Sequence, residues 1–327
     1  MLSNRRNRLT AGADMSNIEI VTGAGPVGWT VALQLAEQGR QVRVLTRSGS
    51  GPDHPLIERR KVDVSDAHAL REAFDGAVAV YHCIHAAYSA DAWERELPAA
   101  EQTVLEAAGH VGAVVVFPES LYSYDTSQQP MTEHTPRSAD SGKRGVRTRL
   151  LKARAESSTP TVSVVASDFF GPQVLNAHAG ERMVPVVLAG KTMRVLGSAD
   201  LPHSFTYVPD FAAAMIVAAH DRALWNSVLH APTVPAVTQR QMVEAYAKAG
   251  GVPVPKVGTL PGWVIRGGGL VHQGSRELAE MLYQFEEPFV MDSSESEARL
   301  GLTPTPLDRA AEETVRWWQD RSVAAAG

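Results

Sequence analysis

Glycines at Gly23-x-Gly25-x-x-Gly28 lie between a short apolar segment, Ile18 to Val21, and a helical pattern, Trp29 to Gln38, that stops at Gly39. Few local patterns restrict a fold so strongly. Between a strand and a helix, the first glycine allows a tight bend and the second lets a pyrophosphate approach the main chain. The third lets helix and strand pack closely. Pro26 suits a first helical turn, where one N–H would be unpaired anyway. Thr22, Gly23, Gly25, Pro26, Val27 and Gly28 are therefore expected to form a dinucleotide-binding turn.

Gln41 to Thr46 reads as the next strand, completing a βαβ unit of roughly 30 residues. An acid at its end would hold a ribose 2′-OH, whereas a 2′-phosphate calls for a cation and small donors. Thr46-Arg47-Ser48-Gly49-Ser50 contains no acid. NADP is thus expected over NAD, with Arg47 as the phosphate ligand; a solvated arginine after a strand is the plain alternative.

The 327 residues carry 31 Lys plus Arg against 36 Asp plus Glu, so no basic field points to nucleic acid. The single cysteine, Cys83, excludes an internal disulfide framework and suits a reducing cytoplasm. Apolar runs such as Val111 to Phe117 fall far short of the roughly 20 residues that span a bilayer. Residues 1–14 lack the apolar core of a secretory signal and are expected to form a disordered tail, with Met15 a candidate start.

Further on, strand and helix patterns keep alternating: a strand Arg60 to Val64, a helix Ala67 to Phe74 and a strand Ala77 to Cys83. A helix Ala99 to Ala108 and strands Ala113 to Phe117 and Thr161 to Ala166 follow. This is the signature of a Rossmann-type α/β fold, a doubly wound parallel sheet whose ligands collect at the carboxyl ends of its strands. Loops beginning at Gly23, Arg47, Asp63, Cys83 and Pro118 would line one crevice.

These residues resemble the extended short-chain dehydrogenase/reductase superfamily, the group of NAD-dependent epimerase/dehydratase proteins, from about Ile18 to Trp318. Thr22 to Gly28 matches its cofactor turn, and Asp63-Val64 its adenine-side acid. Cys83-Ile84-His85 matches the loop beside the cofactor. Ser167-Asp168-Phe169-Phe170-Gly171-Pro172 looks like the segment passing under the nicotinamide, which adds Phe169 to the cofactor residues the resemblance implies. His203 to Asp210 is similar to the turn before a helix, here Phe211 to Ala219, although His203 replaces a usual basic ligand of a substrate phosphate. Nucleotide-sugar substrates are correspondingly disfavoured.

One departure stands against these agreements. The superfamily's active members usually carry Tyr-x-x-x-Lys, the lysine making the phenol a usable acid or base. Here the seven tyrosines are followed four residues later by His85, Ala92, Thr126, Gln128, Phe211, Gly250 and Glu287. The chain instead looks like an atypical branch, with Glu119-Ser120-Leu121-Tyr122-Ser123-Tyr124 after a strand and the basic run Lys143 to Arg149. On that resemblance Ser120 would orient a substrate carbonyl, Tyr122 or Tyr124 supply the proton, and Lys143 the compensating charge. The basic run also reads as the solvated face of a helix reaching Ala155. His82 and His85 flank Cys83, but in a strand-to-loop segment they diverge, so no metal is expected.

Residues 15–170, with 203–230 returning to them, are expected to form the dinucleotide domain. Residues 171–202 and 231–320 would form a smaller, mostly helical substrate region closed by a helix Asp308 to Trp318. Phe169, Phe170, Met183, Val186, Trp263 and Tyr283 are candidates for an apolar pocket in it. The expected activity is hydride transfer between NADP and a carbonyl or alcohol carbon of a small, fairly apolar molecule. An epimerase or dehydratase using the same cofactor, and a non-catalytic NADP-binding redox sensor, are the alternatives. The resemblance further implies a homodimer.

Overall fold

A computed structural model describes residues 17–269 and 272–326; the expected tail, residues 1–14, lies outside the described residues. The strands in chain order are β1 (Ile18–Thr22), β2 (Gln41–Thr46), β3 (Ile57–Lys61), β4 (Ala77–His82), β5 (Val114–Ser120) and β6 (Thr161–Ala166). After them come β7 (Asp168–Phe170), β8 (Met193–Leu196), β9 (Phe205–Tyr207), β10 (Ser227–His230) and β11 (Val257–Leu260). Seven strands form one sheet in the order β10-β6-β5-β4-β1-β2-β3, every neighbouring pair parallel. This is the Rossmann-type doubly wound sheet read from the sequence.

The strands are apolar on both faces because helices cover both. Val114 and Val116 join a core under helix α1 (Pro26–Glu37) and the helix Val208–His220, while Val115 and Phe117 join the opposite core. That second core is closed by α2 (Ala67–Ala73) and α3 (Ala90–Val111). Helix α1 buries Val27, Gly28, Val31, Ala32, Leu35 and Ala36, a stripe at helical spacing.

Two expectations need correction. The third strand is Ile57–Lys61 rather than Arg60 to Val64; it occupies the sheet edge, where Glu58, Arg59 and Arg60 keep water or ion-pair partners. Helix α3 begins at Ala90 rather than Ala99 and runs through Pro98, started by Ser89, whose side chain accepts from the Ala92 N–H.

Beyond the sheet, β7 pairs with β9 and β8 with β11, both in parallel. These pairs share a separate core with the helices Val184–Leu188, Gln239–Ala249 and Leu307–Ala326, in which Phe170, Met183, Phe205, Met242 and Tyr246 are buried. Phe170 and Met183, expected in an apolar pocket, are packed into this core. Trp263 stands 74% exposed.

Candidate active site

The three glycines after β1 have three distinct surroundings. Gly23 adopts φ +89°, and a Cβ on it would meet the Cys83 carbonyl. A Cβ on Gly28 would run into the Gly23 carbonyl oxygen and crowd the Cys83 side chain. Gly25 has nothing within 4 Å of where a Cβ would be. It is the N-cap of α1 with no side-chain cap, and Pro26 follows it. An open glycine at an uncapped helix N-terminus is a cradle for an anionic group.

Around this cradle, Arg47 is exposed just after β2. Asp63, also exposed, accepts from the N–H and hydroxyl of Ser65, which hold its carboxyl below the ordinary range; Arg47 adds to this. Val64 is buried beside it. Thr22 Oγ1 lies 2.8 Å from Nδ1 of His82, and the Cys83 N–H donates to the Thr22 carbonyl at 2.8 Å, tying the ends of β1 and β4 together. Burial, with Arg154 adding, drops His82 to about 3, and burial pushes the Cys83 thiol up to about 12. Ile84 is half-buried against the core under α2 and α3, and Phe169 against the core under α1.

The loop from Cys83 then passes His85 and Tyr88 into α3. The His85 ring lies edge-on to Trp93, its Nδ1 2.8 Å from the Ala86 carbonyl and its Nε2 3.0 Å from an Arg147 nitrogen. Desolvation of the ring, with Arg147 adding, holds it down to about 4. Tyr88 is 46% exposed but turns its hydroxyl inward to 3.5 Å from that of Tyr122; desolvation there pushes it up to about 12. Tyr122 stacks on Trp93, and burial raises its hydroxyl well above the usual phenol range.

Ser120, half-buried at the end of β5, has its hydroxyl 3.4 Å from the Glu119 carboxylate. Tyr124 is fully buried; its hydroxyl accepts from Arg137 at 2.7 Å and lies 2.8 Å from Nε2 of His230. Lys143 is fully buried in the first turn of α4 (Gly142–Ala155). Its ammonium meets Glu277 at 2.5 Å and Glu280 at 2.8 Å and sits 4.7 Å from the centre of the Tyr88 ring. The structure thus leaves Ser120 and Tyr122 half-buried, encloses Tyr124, and sets Lys143 over the ring of Tyr88, whose hydroxyl lies 3.5 Å from that of Tyr122.

Sequence reasoning gave no role to Tyr88, Arg147 or Arg154. Arg147 follows Lys143 by four residues, so a Lys-x-x-x-Arg pattern on one helix face was the available signal. Tyr88 had none, since nothing local marks a loop tyrosine as facing Tyr122.

The sequence model of the NAD dependent epimerase/dehydratase family matches residues 20–226. No curated protein matches the chain. Among solved structures, UDP-glucose 4-epimerase from Thermotoga maritima with UDP-glucose is similar at TM-score 0.71 and 18% identity, covering 94% of this chain and 99% of that one. The Thermus thermophilus UDP-glucose 4-epimerase in complex with NAD gives TM-score 0.72 at 19% identity, covering 92% and 99%. The Bordetella bronchiseptica enzyme WbmH in complex with NAD+ gives 0.72 at 17%, covering 93% and 98%. At such identities these likenesses speak for the fold; the family match spans well over half the chain and agrees with the glycine turn and the sheet order. The chain therefore belongs to the NAD dependent epimerase/dehydratase family.

Proposed function

We propose that this protein is an NADP-dependent oxidoreductase acting on a small carbonyl or alcohol. The observation that carries the reading is the open Gly25 cradle at the uncapped start of α1, with exposed Arg47 at the end of β2 and no acid there. Thr22, Gly23, Gly25, Pro26, Val27 and Gly28 would hold the pyrophosphate, Arg47 the 2′-phosphate and Asp63-Val64 the adenine side. Cys83, Ile84, His85 and Phe169 would flank the nicotinamide end. When bound, the nicotinamide supplies or accepts the hydride at the substrate carbon.

The chain's own part is proton transfer and orientation. Ser120 would donate a hydrogen bond to the substrate oxygen. Tyr122, kept protonated by burial, would pass its proton to that oxygen as the carbon is reduced. Tyr88 lies behind it with its hydroxyl 3.5 Å away, and the Arg147 guanidinium would lessen the cost of a transient phenolate, while Lys143, committed to Glu277 and Glu280, would hold the Tyr88 ring in place. Tyr124, with its hydroxyl committed to Arg137 and His230, would brace the loop rather than exchange protons. The neighbours that are UDP-glucose 4-epimerases support a second reading, oxidation and re-reduction at one carbon, which would use the same groups.

Equilibrium titration with NADPH and NADH tests the cofactor site. NADPH should bind at least about tenfold more tightly, and Arg47→Asp should abolish the difference; binding of neither cofactor would defeat the reading. With a turned-over substrate, Tyr122→Phe should cost about 10²–10⁴ in rate, and retained turnover would remove Tyr122 from the mechanism. Tight cofactor binding without turnover of any carbonyl or alcohol would favour a redox sensor.

A further inference from the structure

The helices Gly262–Gly269 and Gln273–Ala279 pack into one unit. Glycine brings them close: a Cβ on Gly269 would press on the Arg276 backbone and one on Gly268 on the Ser275 side chain. Arg276 Nε donates to the Gly269 carbonyl at 3.3 Å. Ile265, Leu278, Ala279, Leu282 and Phe285 gather with Leu196 of β8 into a small core of their own. By its apolar contacts the unit thus belongs with β8.

Polar bonds tie the same unit across to α3 and α4. Oε2 of Glu277 accepts from the Ala90 N–H at 3.2 Å, at the first residue of α3. Oε1 of Glu280 accepts from the Lys143 N–H at 2.8 Å, in the first turn of α4. Each carboxylate thus sits at a helix N-terminus, where negative charge is favoured. The Lys143 ammonium meets both, at 2.5 Å from Glu277 and 2.8 Å from Glu280, and donates to the Glu277 carbonyl at 2.9 Å. The seat is shaped for this: Gly142 has φ +57°, and a Cβ on it would strike the Glu280 carboxylate. Lys143 is wholly buried there, while the Glu277 and Glu280 side chains keep 15% and 29% of their surface in water.

Lys143 also caps the Tyr88 ring at 4.7 Å, and the Tyr88 hydroxyl stands 3.5 Å from that of Tyr122. Tyr88 therefore takes up a position from which a substrate oxygen would reach Tyr122. Tyr122 is held separately, its carbonyl accepting from Arg144 at 2.9 Å. We infer that the helix Gln273–Ala279 is a lid beside Tyr122 and that Lys143 is its latch. The conformation described is the latched one. When Glu277 and Glu280 release the ammonium, the helix lifts with its own core intact, and the Tyr88 loop, freed from the ammonium, withdraws to admit a substrate. Lifting exchanges bonds among charged groups for bonds to water, whereas the apolar core has no such substitute and stays closed. Local opening of this kind lies far below global unfolding and suits a gate. The admission of substrate rests on the oxidoreductase reading above; the opening itself does not.

Amide hydrogen exchange read by NMR on the full chain tests the latch without any ligand. The Ala90 and Lys143 N–H groups lie on different helices and bond to different carboxylates, yet one lid must expose both. In the unaltered protein they should share one opening constant, larger than that of Val115 and Val116 in β5; unlike constants would overturn the lid. Glu280→Gln should speed exchange at Ala90, which its side chain does not bond, by about tenfold, with Val115 and Val116 unchanged. An Ala90 rate unaltered in both Glu280→Gln and Lys143→Met would defeat the inference, as would equal acceleration throughout β5. In protein labelled with 3-fluorotyrosine, Glu280→Gln should also move the Tyr88 resonance, assigned through Tyr88→Phe, towards its position in the unfolded chain. A Tyr88 resonance that stays in place would remove the gate. None of these readouts involves dinucleotide, so the NADPH titration fails or succeeds independently of them.

Discussion

Gly25 and Gly28 are three residues apart and exclude a side chain for opposite reasons. At Gly28 the obstacle is the protein itself, since a methyl would press on the Gly23 carbonyl and the Cys83 side chain. At Gly25 there is only open space where a dinucleotide would lie. Gly28→Ala should therefore destabilise the folded protein by about 1–3 kcal/mol, seen as a lowered Tm without ligand. Gly25→Ala should keep its Tm and weaken dinucleotide binding about tenfold or more; equal behaviour of the two variants would contradict the separate roles. The turn was legible because its requirements are local, fixed by glycine geometry between one strand and one helix. The catalytic side was not. Lys143 is captured by Glu277, 134 residues away, and Tyr124 by His230, 106 residues away. No spacing rule reaches such partners, so a tyrosine enclosed with its hydroxyl committed and one half-buried against Trp93 looked alike.

Helix α4 shows the same limit at the scale of an element. Its sequence, Gly-Lys-Arg-Gly-Val-Arg-Thr-Arg-Leu-Leu-Lys-Ala-Arg-Ala, permits a reading as a solvated basic helix, yet Lys143, Arg147 and Arg154 are buried. What pulls them in is buried acid on neighbouring elements. Arg154 meets Glu101 of α3 at 2.5 Å and Glu119 of β5 at 2.8 Å, donates to Ser163 of β6 and lies over the Phe117 ring. One guanidinium thus fastens α3, β5 and β6 to α4 directly behind Ser120. Arg154→Met would leave buried Glu101 without a cation and Glu119 with Arg147 alone, and should cost about 3–5 kcal/mol, measured by urea denaturation. Adding Glu101→Gln and Glu119→Gln should recover part of that loss, and a neutral Arg154→Met would show that the cluster contributes nothing. Individual strands were easier to read, because runs such as Val114-Val115-Val116-Phe117 are apolar on both faces wherever helices cover both. The charged edge strand Ile57–Lys61 escaped, since an edge does not demand such a run.

Across the whole molecule, among the described residues, four histidines are held down by burial against an ordinary 6.5: His82 to about 3, His85 to about 4, His178 to about 4, and His230. Above pH 6.5 neither native nor unfolded chain protonates them, and their effect on stability is nil. As pH falls from 6.5, the unfolded chain takes up protons the native fold refuses, so stability declines towards pH 4 and, through His82, on towards 3. For buried His82 alone the slope approaches about 1.4 kcal/mol per pH unit. His220, raised by its hydrogen bond to Glu19, acts in the opposite sense, its contribution being present at low pH and lost as pH rises through its native value. With four groups against one, Tm should fall between pH 6.5 and 4 in scanning calorimetry, and a flat profile there would refute the balance. The order of the sheet has another consequence. Strand β10 closes the flank of β6, yet sixty-four residues separate Ala166 from His230. During synthesis at roughly 5–20 residues per second, β6 would wait some 3 to 13 s for that partner, an open template for stray pairing. A chain ended before His230 would keep that flank bare for good, so the smallest nucleotide-binding fragment able to stay in solution alone must extend through β10.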